Sequence, residues 1–176
     1  GELLLDRFLP RPLPARLEDL GIPFQAIATD FYGLSRAELS SGLLRPAVAA
    51  SMALPWLVRP VLLGQRVLVD GGATDPLPIR ECDPPADITL AIDVSGGVKT
   101  HGETKLPSPI EAMLGLSQVM QTALTEARIA TAPAGVHVLR PSVQDFNVLD
   151  FFAARAILAA AEPLRSEVHA VLAQPR

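Results

Sequence analysis

Residues 86–97, ADITLAIDVSGG, are almost continuously apolar from Ile88 to Ile92 and then turn polar and glycine-rich. A strand with one wet face alternates in polarity. An unbroken apolar run of this length is the pattern of a strand covered on both faces, and so of a parallel sheet with helices around it. Working outward, residues 109–130 read as a long helix. Ser108 can cap it, Pro109 suits its first turn, and Ile110, Met113, Leu114, Val119, Met120, Ala123, Leu124 and Ala127 trace one face. GVHVLRP, beginning at Gly135, is a further strand, and residues 150–173 are helical with a break or kink at Pro163.

Upstream, PFQAIATDFYG (residues 23–33) has a β-favouring centre from Phe24 to Ala28 and ends in turn chemistry at Asp30 and Gly33. A short helix from about Pro46 to Met52 is followed by Pro55 and Pro60, which impose a loop, and QRVLVD is one more strand. The resulting order of strand, helix, strand, strand, helix, strand, helix predicts α/β architecture. Residues 1–20 read as a connecting segment and residues 21–176 as the body of a domain. The glycine- and lysine-containing loop over residues 95–109 is the best candidate for a lid.

The 176 residues are 49% hydrophobic, enough for a core, and carry a net charge of -4 with no basic stripe that would neutralise a phosphate backbone. Nucleic acid is not an expected partner. The single cysteine, Cys82, excludes an internal disulfide and a thiolate metal cluster and suits a reducing, cytoplasmic location. No run approaches the ~20 apolar residues of a membrane-spanning helix. An apolar rim at Leu54, Trp56 and Leu57 leaves peripheral contact with a membrane open, although burial in the core is the simpler reading of it.

In open α/β sheets ligands bind beyond the carboxyl ends of strands, which makes Asp30, Asp70 and Asp93 the first suspects for chemistry. Asp70 lies in RVLVDGGATDPLPI (residues 66–79), where Gly71 and Gly72 let the backbone turn sharply and leave space beside the carboxylate for a substrate or another backbone. On spacing alone a structural turn is the simpler reading. His101, His137 and His169 sit with no nucleophile motif, and no ligand spacing calls for a metal or any other cofactor. No G-x-S-x-G elbow occurs: GLSRA at residues 33–37 lacks the second glycine and DVSGG at residues 93–97 the first, so neither Ser35 nor Ser95 sits in a nucleophile sequence. A glycine-rich oxyanion loop is absent as well.

Taken in order, PFQAIATDFYG, AVAASMALPWLVRPV, LVDGGATDPLPI and LRPSVQDFNVLDF resemble the C-terminal part of the patatin-like phospholipase family, above all its bacterial branch related to neuropathy target esterase. The second segment is similar to the family's A-S-x-x-x-P-x-x-x-x-P pattern through Ala50, Ser51, Pro55 and Pro60, and the third to its D-G-[GA] motif followed by x-N-P-x-P. The likeness runs from about Ile22 to Phe151. It implies a three-layer α/β/α fold of which this chain is the C-terminal portion, and lipid acyl hydrolysis by a serine–aspartate dyad without histidine. Asp70 then matches the dyad aspartate, with Gly71 and Gly72 as its motif glycines. The substrate would be a lipid or carboxylic ester. The partner would be an N-terminal segment or companion chain carrying the nucleophilic serine, without which this chain is inactive. One departure stands out: Asp75 occupies the position where the family usually has asparagine, adding a negative charge near the site. The alternative from another class is a non-catalytic α/β interaction domain derived from an esterase framework.

Overall fold

In a computed structural model of the chain, the described residues are Leu5, 13–55, 57–79, 86–95, 106–146, Asp150 and 152–173. Cys82, His101, Trp56 and most of the lid-like loop lie outside them, as does much of the connecting segment. The chain divides into two units, Gly1–Pro76 and Leu77–Arg176.

The first unit is built on a four-stranded sheet in the order β2-β1-β4-β3, antiparallel throughout. Its strands are β1 (Ala26–Asp30), β2 (Ser35–Leu39), β3 (Val61–Leu63) and β4 (Arg66–Asp70). The sequence reading anticipates β1 and β4 but neither β2 nor β3. Both are edge strands; β2 reads Ser-Arg-Ala-Glu-Leu, with three polar residues in five, as is common where one edge meets water. Hairpin chemistry brings them in. Asp30 accepts a hydrogen bond from the Gly33 amide at 2.9 Å to shape the first turn. Gly64 stands first in the two-residue turn between Leu63 and Arg66 with φ +61°, the position a type II′ hairpin reserves for glycine.

Directly paired residues share a face of the sheet. Ala26, Ala28, Ala37, Leu39 and Leu68 cover one face and pack against Leu44, Ala47 and Ala50 of helix α1 (Leu44–Ser51) and against Leu17. Alanine on both sides lets the helix approach the sheet closely, with Leu68 (0% exposed) as the large side chain between them. Helix α1 begins two residues before the expected Pro46, which occupies its first turn.

In the second unit, β5 (Thr89–Ile92) and β6 (Val136–Leu139) pair in parallel, joined by the crossover helix α2 (Pro109–Ala130). Helices α3 (Ala154–Ala161) and α4 (Leu164–Leu172) follow, interrupted at Glu162 and Pro163 as expected. The chain is therefore α/β, but among the described residues parallel pairing is confined to β5 and β6. Of β5 only Ala91 is buried, so the strand is not covered on both faces.

The ends of α2 match the sequence reading residue for residue. Ser108 and Glu111 form a reciprocal capping box and Pro109 occupies the first turn. Ser108→Ala is expected to cost about 1 kcal/mol of stability, read as a lowered midpoint in chemical denaturation. The expected apolar face is packed only in part: Met113 and Leu114 are half-buried. Ile110, Val119, Met120 and Leu124 are exposed, whereas Gln118, Thr122 and Thr125 lie on the inward side. A hydrogen bond accounts for part of this: Gln118 donates to the Ser95 carbonyl at 3.2 Å.

Candidate active site around Asp70

Asp70 ends β4 and starts a single 3-10 turn, Gly71–Ala73. Its Oδ1 accepts the Gly72 amide at 2.7 Å, so the carboxylate caps the turn that follows it. Oδ2 takes part in no hydrogen bond among the described residues. Burial pushes the Asp70 carboxyl above the ordinary carboxylate range, and the Gly72 amide offsets this only in part. A plain turn aspartate explains the Gly72 bond. The half-buried carboxylate with one oxygen uncommitted exceeds what a turn requires.

The two glycines act differently. A Cβ on Gly71 would stand 2.3 Å from the Ile27 carbonyl oxygen, so the missing side chain makes room for the β1 backbone. Gly72 contributes its amide. Of the two uses of space open to the sequence reading, Gly71 serves the approach of another backbone.

Polar ties hold the turn against β1 and β2. The Thr29 hydroxyl donates to the Asp70 carbonyl at 2.9 Å and lies 2.9 Å from the Thr74 hydroxyl. Thr29 sits directly opposite Arg36 on β2 and Val69 on β4, on the sheet face away from α1. From the same face, Arg36 Nε reaches Asp75 Oδ2 at 2.8 Å. The charge added by Asp75 where the resemblance puts asparagine is thus matched by a partner. Composition carries no trace of that pairing, since the two residues lie far apart in sequence and meet only through the register of β1 and β2.

The other strand-end aspartates have partners of their own. On the antiparallel pair β1 and β4, Asp30 lies opposite Leu68 and Asp70 opposite Ala28, so the two stand diagonally on one face, and the Asp30 carboxylate is taken up by the Gly33 amide. Asp93, in the second unit, accepts bonds from the Ser95 amide and hydroxyl at 3.0 and 2.6 Å and from Arg140 Nε at 3.1 Å; Arg140 in turn pairs with Glu126. Burial acts to raise the Asp93 carboxyl, but the Ser95 and Arg140 contacts outweigh it and hold it below its usual value. A carboxylate so stabilised is a poor base for Ser95, which weakens a local nucleophile there. Ser35 pairs across the hairpin with Asp30 at the exposed start of β2. Of the apolar rim, Leu57 is exposed and Leu54 half-buried, and no helix among the described residues is long and apolar enough to cross a membrane.

An α/β protein that presents a strand-end aspartate on a glycine-closed turn is the class this geometry defines. Residues 2–83, a stretch that includes β1 to β4 and the Asp70 turn, match the family model described as patatin-like phospholipase. It is 35% identical over 97 residues to an NTE family protein of Mycobacterium tuberculosis and, to the same degree, to one of Mycobacterium bovis; the alignment takes in 54% of this chain. It is 27% identical over 161 residues to the lysophospholipase NTE1 of Debaryomyces hansenii, covering 78% of this chain and 10% of the fungal protein. The chain spans 27% of the length of the mycobacterial relatives.

Proposed function

We propose that this chain supplies the aspartate of a serine–aspartate dyad in a lipid acyl hydrolase, with the serine and its oxyanion donors on a segment or companion polypeptide outside these residues. The observation that carries the reading is the state of Asp70. It is held by the Gly72 amide through one oxygen, free of hydrogen bonds to described residues through the other, and raised toward a more basic carboxylate by burial. Such a carboxylate can accept the serine proton as the hydroxyl attacks the ester carbonyl, and can return it to the departing alcohol. Water then releases the acyl group by the same relay. A lipid or other carboxylic ester is the substrate, in keeping with the lysophospholipase name of the fungal relative.

A fluorophosphonate probe together with intact-mass measurement tests the division of labour. The probe is expected to label a serine outside these residues; labelling of Ser35 or Ser95, or ester hydrolysis by this chain alone, would overturn it. The pH profile provides a second check. Activity falls as Asp70 takes up a proton, so the acid limb of kcat/KM is expected above the ordinary carboxylate range. A limb at the usual aspartate value would contradict the assignment.

One observation favours a second reading, a non-catalytic interaction domain. The exposed apolar residues of α2, Ile110, Leu116, Val119 and Met120, form a surface suited to another polypeptide. That reading predicts no probe labelling anywhere in the assembly and partner binding unaltered by Asp70→Asn.

A further inference from the structure

We propose that Arg36 and Asp75 are positioning residues for Asp70, an inference that rests on the dyad reading above and extends it to the opposite edge of the sheet. The turn that begins at Asp70 closes at Asp75, whose amide donates to the Gly71 carbonyl at 2.9 Å. The Asp75 side chain is therefore a handle on the turn. It is 1% exposed and meets the guanidinium of Arg36, 14% exposed, at 2.8 Å. One step along the same cross-strand row, Thr29 holds the Asp70 carbonyl and the Thr74 hydroxyl. Two neighbouring side chains on β1 and β2 thus grip Thr74 and Asp75, and the grip passes through the turn to the Asp70 carboxylate. Arg36 is itself oriented by Glu38, which also receives Gln25 at 3.0 Å.

A buried ion pair is a poor device for stability, because the desolvation of both charges consumes most of the attraction between them. Its placement is its asset. The Arg36 guanidinium holds the buried Asp75 carboxylate at 2.8 Å by charge, without an aligned hydrogen bond from Nε, so what the pair fixes is the distance of the turn from β2. A general base must be placed to within a fraction of an ångström of the proton it removes, and a small displacement of the turn lowers the rate without changing how substrate binds.

The test compares Arg36→Gln, Asp75→Asn and the double variant in the protein together with its serine-bearing polypeptide. Hydrolysis of a p-nitrophenyl acyl ester is normalised to sites titrated with a fluorophosphonate, so that unfolded molecules do not count. Each single variant is expected to lower kcat per titrated site about 10-fold with KM within about 2-fold, as misplacement of a base predicts. The double variant, in which two amides can hydrogen-bond in place of the ion pair, is expected to recover to within about 3-fold of the parent. A kcat per site unchanged in the single variants, whatever their thermal midpoints, would show the pair to be structural only and overturn the inference. Should Arg36→Gln fail to fold, the near-isosteric Asp75→Asn decides by the same criterion. Full activity in Asp70→Asn would instead overturn the dyad reading itself, before Arg36 is touched.

Discussion

Asp70→Asn, in the protein together with its serine-bearing polypeptide, is expected to lower kcat on the order of 10³-fold while leaving the fold intact and more stable at neutral pH. Asparagine retains an oxygen for the Gly72 amide, so the turn keeps its cap. What it loses is the capacity to accept a proton. The stability gain follows from the direction of the Asp70 shift. A carboxyl whose folded pKa is raised contributes stability below its unfolded pKa, and that contribution is lost as pH rises through the folded value. At neutral pH the wild-type protein holds a half-buried charge that the amide removes. Thermal midpoints at pH 7 and pH 4 should therefore separate the proteins: the variant is the more stable at pH 7, and its advantage narrows at pH 4. Equal activity, or a variant less stable at pH 7, would show that Asp70 is only a turn residue.

Gly71→Ala carries the second large expectation. The added methyl would sit 2.3 Å from the Ile27 carbonyl oxygen, and neither backbone has a rotamer through which to escape. β1 is held on both sides by β2 and β4, and the turn by Thr29 and Arg36, so relief must come from displacement of the turn. A loss of about 3 kcal/mol in denaturation is expected. Activity in the folded fraction should fall on the order of 100-fold, since the displaced residue neighbours the base. Near-parental stability in Gly71→Ala would mean that β1 and the turn are not in this close contact.

How much of this was legible in the chain depended on the kind of signal. Helix α2 was read to its ends because Ser108, Pro109 and Glu111 act on their own neighbours, and a capping box is complete within four residues. The break at Pro163 was local in the same sense. The inward face of α2 is legible only in part, at Met113 and Leu114, because periodicity reports where apolar residues fall around a helix and not which side meets a neighbour. Here Gln118 found the Ser95 carbonyl. Strands β2 and β3 escaped notice because edge strands carry charge and are short, and what makes them strands is the partner beside them.

At the site, Asp70 and its glycines were visible in one short motif and gained meaning from the order of the motifs around it. By itself the sequence determined the residue types that chemistry needs and the turns that local hydrogen bonding can shape. Only the tertiary structure decided that Gly71 is glycine because the Ile27 carbonyl lies against it, and that the charge of Asp75 is answered by Arg36. It also decided that Asp30 and Asp70 stand diagonally on one face of β1 and β4, two residues apart along the ladder. The physical reason is common to all three: each depends on strand register, which is set by the pairing of segments far apart in the chain.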